Sequence, residues 1–284
     1  MANTILKGTD TEILLNSDGP TYVIGERINP TGRPLLAEAL KRGELEVVER
    51  EALKQKEEGA SLIDVNVGAP GVDELEVLPR AVKLAAEATG LPVVIDSSNP
   101  AAIRAALEVC PGRPLINSIT AEKESLEAIL PLAVEYQVPV IALCFDQRGI
   151  LMNSQERVEV ARKIYQAALE AGLSGDDLIF DPLVTTVATN SQAARTSLDT
   201  AEAIRRELGS NLTMGASNIS FGLPMREVLN NSFLALAIYH GVNLPIMNPG
   251  RKGAMAAVKS ADLLRGCDNY AMNYIRYYRR HMVN

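Results

Sequence analysis

The chain has 284 residues, 47% of them hydrophobic and 22% charged, and a formal net charge of −7. That length buries a sizeable core, while the acidic balance and the lack of any basic stretch argue against a protein that tracks a phosphate backbone. No apolar run reaches the roughly 18 residues of a membrane span, so neither nucleic acid nor membrane is an expected partner.

The first residues, MANTILKGTDTEILL, lack the charged-then-apolar order of a secretory signal, and a cytoplasmic location is expected. Residues 1–20 read as an N-terminal extension of mixed polarity, with a short edge strand over Glu12–Leu15 and a turn at Asn16–Pro20. A rhythm then begins. Short β-branched runs bounded by turn residues predict strands over Tyr22–Asn29, Ser61–Gly68, Pro92–Ser97, Pro114–Ser118, Pro139–Asp146, Leu178–Leu183, Leu212–Asn218 and Leu244–Asn248. Helical patterns lie between them. Gly43 splits the first into two helices, with Leu45, Val48 and Ala52 on one face of the second. Ala101–Val109 has helical composition and period, and Asn153 with Glu156 marks the start of a helix over Glu156–Ala171. Gly59, Gly90, Gly172, Gly209 and Gly241 stand where helices stop before the next strand.

Eight strand–helix units predict one α/β domain over residues 1–284, a (β/α)₈ TIM barrel. A doubly wound open sheet is the alternative. It loses support because no G-x-G-x-x-G follows the first strand and no G-x-x-x-x-G-K-[ST] occurs. The tail, residues 267–284, reads as a C-terminal helix carrying Tyr270, Tyr274, Tyr277 and Tyr278. Those tyrosines either pack onto the barrel or form a homodimer interface; Arg276, Arg279, Arg280 and His281 read as a solvated face. Cys110, Cys144 and Cys267 have no C-x-x-C spacing and make neither a disulfide framework nor a thiolate zinc site. Cys144 reads as a small buried hydrophobe, with a methyl-carrying thiolate as the sharper alternative.

Active sites of parallel barrels are built at the C-terminal ends of the strands. Those ends read Gly25-Glu26-Arg27-Ile28-Asn29, Asp64-Val65-Asn66-Val67-Gly68, Asp96-Ser97-Ser98-Asn99, Asn117-Ser118, Asp146, Asp181-Pro182, Gly215-Ala216-Ser217-Asn218 and Asn248-Pro249-Gly250. A mouth of Asp and Asn with few cations is not a phosphate site. It suits a neutral heterocycle rich in N–H donors and ring acceptors, because Asp accepts a bidentate pair and Asn offers both a donor and an acceptor. For Asp64, Asp146 and Asn99 a helix cap or turn competes with a site role. Asp96 and Asn117 fall next to one another in the sheet, which capping does not require. Such a ring of oxygens could hold magnesium or calcium, but no His companion supports zinc or iron, and no residue is assigned as a metal ligand.

Taken together, these strand ends resemble the pterin-binding methyltransferase family. Its members include methyltetrahydrofolate:corrinoid protein methyltransferases and the folate-binding module of cobalamin-dependent methionine synthase. The matching motifs are Gly25-Glu26-Arg27-Ile28-Asn29, Asp64-Val65-Asn66-Val67-Gly68, Ile95-Asp96-Ser97-Ser98-Asn99, Ile116-Asn117-Ser118, Asp181-Pro182-Leu183 and Ser217-Asn218-Ile219-Ser220, with Arg226 beyond. The resemblance implies that Asp96, Asn117 and Asp181 hold the amino-pyrimidine edge of a pterin. It implies that Asn218 reaches N5, that Gly215 and Ser217 line the same face, and that Arg226 lies near the ring or its tail. The implied reaction moves a methyl group between N5 of tetrahydrofolate (5-methyltetrahydrofolate when methylated) and the cobalt of a corrinoid. Catalysis would rest on Asn218, with Asp96 and Asp181 shaping its surroundings.

Dihydropteroate synthase, a related pterin barrel, carries Ser-Arg-Lys at the end of strand seven, where this chain has Ser217-Asn218-Ile219. Methionine synthase carries its corrinoid on an Asp-x-His-x-x-Gly motif; here Ile238 stands two before His240, and His281 lies too close to the end. The corrinoid (cobalamin) is therefore expected on a separate partner protein, docking over an open mouth with no long lid over strands three to seven. A non-catalytic folate-binding protein is the alternative from another class.

Overall fold

The computed structural model describes residues 1–281. The strands are β1 (Asn3–Lys7), β2 (Glu12–Asn16), β3 (Ile24–Ile28), β4 (Leu62–Val65), β5 (Val93–Asp96), β6 (Leu115–Ile119), β7 (Val140–Leu143), β8 (Leu178–Asp181), β9 (Asn211–Gly215) and β10 (Leu244–Met247). The helices are α1 (Pro34–Lys41), α2 (Glu46–Glu57), α3 (Glu74–Thr89), α4 (Pro100–Val109), α5 (Lys123–Tyr136), α6 (Ser154–Glu170), α7 (Ala193–Leu208), α8 (Arg226–Tyr239), α9 (Ala254–Leu264) and α10 (Met272–His281).

Strands β3 to β10 close into a parallel barrel in which β10 pairs with both β9 and β3, the expected (β/α)₈ architecture. Both faces of each strand are covered, so the runs are apolar throughout rather than alternating. One set of side chains packs outward against the helices. The other points inward and meets on the axis: Ile24, Leu62, Val94, Leu115, Ile141, Ile179 and Leu244. The paired strands are shorter than the sequence predicts because their polar C-terminal residues leave the ladder to form the mouth.

Residues 1–20 are not a loose extension. β1 and β2 form an antiparallel hairpin in which Leu6 opposes Ile13 and Thr4 opposes Leu15. Leu6, Ile13 and Leu15 are buried against the inner ring and close the N-terminal end of the barrel. Asn211 ties the hairpin down by donating to Thr4 Oγ1 (2.9 Å) and the Leu15 carbonyl (3.0 Å), and Asn243 donates to the Asn16 carbonyl at 3.0 Å. The expectation of a single edge strand overlooked β1, whose Thr4 and Leu6 alternate inward with exposed neighbours.

The tail also differs from expectation. The helix begins at Met272, not at residue 267, because Tyr270 and Ala271 have positive φ values of 56° and 55° that a continuous helix cannot contain. Tyr277 packs against the core, whereas Tyr270, Tyr274 and Tyr278 are exposed. The packing of all four tyrosines onto the barrel is thus corrected, and residues 282–284 of the expected helix lie outside the described residues. Among the described residues, no helix is long and apolar enough to cross a membrane.

Candidate functional site

The mouth is assembled by register. Parallel pairing of β5 with β6 sets Asp96 opposite Asn117, the juxtaposition expected from sequence. One strand beyond, β7 separates this pair from β8, where Asp181 lies level with Leu143. Asp181 in turn accepts a hydrogen bond from the backbone N–H of Leu183 (Oδ1, 2.7 Å), and the Gly215 N–H at the end of the neighbouring strand β9 lies close enough to favour its charged form. The structure therefore joins Asp181 to Gly215, and joins Asp96 to Asn117.

Beneath Asp96 and Asn117 runs a polar layer. Asn66 donates to Asp96 Oδ2 at 3.0 Å, and Asn117 Nδ2 lies 3.4 Å from Asp64 Oδ1. Burial raises the Asp96 carboxyl to about 6, with the Asn66 hydrogen bond pulling the other way and Glu74 adding to the rise. Burial followed by the neighbouring Asp96 charge pushes Asp64 well above the ordinary carboxylate range. Two close carboxyls cannot both ionise cheaply, which is why the Asp96 charge adds to the effect of burial on Asp64. Asp181 is raised to about 7, chiefly by burial, against the Leu183 N–H, the Arg157 cation and the Gly215 N–H.

Of the residues with two open roles, Asn99 caps α4 by accepting from Ala101 N and Ala102 N. Asp146 is committed to Arg148, whose Nη2 lies 2.9 Å from Oδ2. Asp64 alone faces the site. The sequence leaves Asp64 between two roles, because an isolated strand-end Asp does not reveal which neighbour its carboxyl will meet.

Across the mouth, a cavity of about 240 Å³ is lined by Glu26, Ser217, Arg226, Asn230, Asn248 and Arg251 among others. A second, of about 550 Å³, is lined by Asp96, Asn117, Thr120, Glu122 and Phe145 among others. Asn218 does not close the strand as expected; it lies in a 3₁₀ turn over Ala216–Ser220 that follows β9, where it is exposed. A Cβ on Gly215 would stand 3.0 Å from Asn218 Nδ2, so a side chain at 215 would crowd that carboxamide. Arg226 opens α8 and braces the same turn, donating from Nε to Ser220 Oγ and from Nη2 to the Ser217 carbonyl, both at 3.0 Å.

Glu26 is the residue that sequence reasoning left unassigned on this side. Burial raises its carboxyl; Arg251, Arg27, the Asn248 N–H and the Ser217 hydroxyl oppose the rise. A register shift between Gly25 and Ile28 frees the Arg27 N–H, which donates to Gln55 Oε1 of α2 at 2.8 Å. Its available signal was the Gly-Glu-Arg-Ile-Asn strand end, whose bulge is invisible to periodicity.

Loops 97–99 and 120–122 over the Asp96 side are short, whereas 144–153, 182–192 and 216–225 are longer. Among the described residues, no group of three or more His, Cys, Asp or Glu is arranged to hold a metal ion.

A family model described as pterin binding enzyme matches residues 25–248. The methylcorrinoid:tetrahydrofolate methyltransferase of Eubacterium limosum is 29% identical over 261 residues, covering 91% of this chain and 96% of that protein. The methionine synthase of Mycobacterium tuberculosis is 34% identical over 240 residues, which is 79% of this chain but only 20% of the synthase. Among solved structures, a dihydropteroate synthase from Coxiella burnetii in complex with pteroic acid superposes with a TM-score of 0.70 at 21% identity, covering 93% of this chain and all of that one. That likeness is one of fold.

Proposed function

This chain belongs to the pterin-binding enzyme family, and from that premise we propose that it is a methyltransferase moving a methyl group between N5 of tetrahydrofolate and the cobalt of a corrinoid carried by a separate protein. The observation that carries the reading is the polar mouth: Asp96 set against Asn117 by strand register, with the buried Asp181 two strands on. Such a set suits an amino-pyrimidine edge. Carboxylates accept the ring N–H groups, and the carboxamide of Asn117 donates and accepts. The similarity to the Eubacterium limosum methyltransferase over nearly its whole length directs the choice of reaction.

When the partner docks, its cobalt supplies the atom that takes or gives the methyl group. This chain binds, orients and tunes. Asp96, Asn117 and Asp181 fix the ring. Asn218, exposed over Gly215, donates a hydrogen bond to N5 as the N5–methyl bond breaks and the lone pair develops, an interaction that strengthens toward the transition state, and a proton from solvent completes the N5–H of tetrahydrofolate. Ser217 lines the same face, and Arg226 with Arg251 offers cations near the ring or toward a carboxylate-bearing tail. The exposed apolar side chains of Ile150, Met152, Phe221 and Met225 lie on loops at the mouth, with Leu35 in the first turn of α1, and a bulky partner would dock there.

Dihydropteroate synthesis is the weaker reading, since its support is fold likeness and the strand-seven signature differs. We take residues 1–284 as one cytoplasmic barrel domain, hairpin and tail helix included, and a homodimer through the exposed tyrosines of the tail. Light scattering at micromolar concentration tests the dimer, and a monomer removes that part alone. The central experiment is spectroscopic: purified protein, 5-methyltetrahydrofolate and free cob(I)alamin are mixed and cobalamin methylation is followed. Turnover above the uncatalysed rate is expected; tight folate binding without turnover would leave a binding protein.

A further inference from the structure

Arg157 of α6 is among the largest fully buried side chains in the molecule, only 1% exposed. Taking a guanidinium out of water is costly unless its donors and charge are compensated. Among the described residues it forms no ion pair. Its donors go to backbone carbonyls instead: Nε to Leu151 at 2.7 Å, and Nη1 to Pro182 at 2.7 Å and Leu183 at 2.8 Å. Ser197 of α7 takes the same Leu183 carbonyl at 2.6 Å. Leu183 has a φ of +66°, a left-handed conformation that a leucine keeps only when its surroundings impose it. That conformation delivers the Leu183 N–H to Asp181 Oδ1 at 2.7 Å.

Resting on the pterin reading above, we propose that Arg157 is the positioning residue for Asp181: from behind the barrel wall it locks the Asp181-Pro182-Leu183 corner and turns a cation toward the carboxylate that grips the ligand. A knitting role alone would be met by any donor that ties α6 to the loop. Arg157 does more, because its guanidinium is bonded to the two carbonyls that directly follow Asp181, near enough for its charge to bear on a carboxyl that burial drives toward protonation. The groups that meet Asp181 are Arg157 from α6, the Cys144 thiol after β7, the Leu183 N–H of its own loop and the Gly215 N–H of β9. Of these, Arg157 alone carries a positive charge.

The test uses the full chain with Arg157→Met, which removes charge and donors, and Arg157→Lys, which keeps the charge on a single-point donor. Two quantities are read: the titration of Asp181 in the ligand-free protein, by ¹³C NMR of labelled aspartate assigned with Asp181→Asn, and the Kd for 5-methyltetrahydrofolate from pH 6 to 9. In Arg157→Met the titration is expected to move upward by about one pH unit or more. Its Kd should rise about tenfold at pH 7, and the loss should shrink toward pH 9 as Asp181 ionises. Arg157→Lys should restore the titration and only part of the affinity. A lower melting point with wild-type titration and Kd would overturn the proposal and leave Arg157 as a rivet. If Arg157→Met does not fold, wild-type affinity in Arg157→Lys overturns it equally. Failure of the wild-type protein to bind 5-methyltetrahydrofolate would instead remove the pterin reading, with the Asp181 titration still deciding what Arg157 does.

Discussion

The two ends of the barrel are made by the same eight strands and obey opposite rules. At the N-terminal end, Leu6, Ile13 and Leu15 of the hairpin seal an apolar ring, and the polar groups nearby, Thr4, Asn211 and Asn243, are hydrogen-bonded within the protein. At the C-terminal end, Asp64, Asp96 and Asp181 are held in surroundings that raise the pKa of each. One end minimises free energy for the fold alone; the other keeps groups in states that only a ligand relieves. Stability and binding should therefore respond in opposite senses to substitution at the two ends.

The largest effect is expected at the closed end. Leu15→Ala removes a fully buried side chain beneath the axis and should destabilise the protein by about 2–5 kcal/mol, read by chemical denaturation. Because the mouth lies at the opposite end of the strands, the folate Kd of the folded protein should stay within about twofold. A large loss of affinity would mean that the two ends are coupled.

At the open end, Asn218→Ala should lower kcat by roughly 10²–10³, the usual loss for one preorganised donor, with a modest change in folate affinity. Its exposure predicts little effect on stability. The opposite pattern, a lower melting point with normal single-turnover transfer, would make Asn218 a shaper of the 3₁₀ turn and strike it from the catalytic residues.

Asp96→Asn, Asn117→Ala and Asp181→Asn should each weaken folate binding by roughly 1–3 kcal/mol, because ring groups are left unpaired. For Asp181 the sign of the stability change should reverse. Its folded pKa, about 7 against an ordinary value of 3.8, means that the protonated form is favoured in the fold. The associated stability is complete below pH 4 and is lost as pH rises through 7. Ligand-free Asp181→Asn should accordingly be more stable than wild type at pH 8 while binding worse. Folate affinity in the wild type should fall as pH drops below about 7, as Asp181 and then Asp96, raised to about 6, take up protons. Calorimetry across pH 5.5–8.5 checks both; pH-independent affinity would remove the ionised carboxylates from recognition.

The same contrast explains what could be read from the chain. The barrel was legible because strand, helix and Gly stop recur with one period, and the strand-end carboxylates and carboxamides were legible because parallel pairing puts all C-termini at one edge. What escaped depends on contacts between distant segments. β1 is five residues of ordinary composition whose inward positions have meaning only beneath a closed ring. Glu26 owes its place to a bulge whose freed N–H is taken by Gln55. Asp64 owes its state to burial and then to Asp96 on the next strand, and Arg157 reads from sequence as one more charged residue on a helix rather than a buried cation.

The smallest effect tests the boundary between the two regimes. Cys144 lies just past β7, fully buried beside Asp181 and so within reach of the site's field while packed like the core. Were it a methyl carrier it would have to ionise, since the thiolate is the nucleophile. Burial pushes its thiol well above the usual range, and the neighbouring Asp181 charge pushes it further, with only Arg157 opposing. A thiol so placed stays protonated at neutral pH and serves as a small hydrophobe. Cys144→Ala should thus cost about 1 kcal/mol of stability, in line with one lost buried group, and leave the single-turnover rate of methyl transfer unchanged from pH 6 to 9. Loss of transfer at preserved folate affinity would show that the chemistry reaches past the polar mouth into the core, and the division between the two ends of the barrel would then fail at this residue.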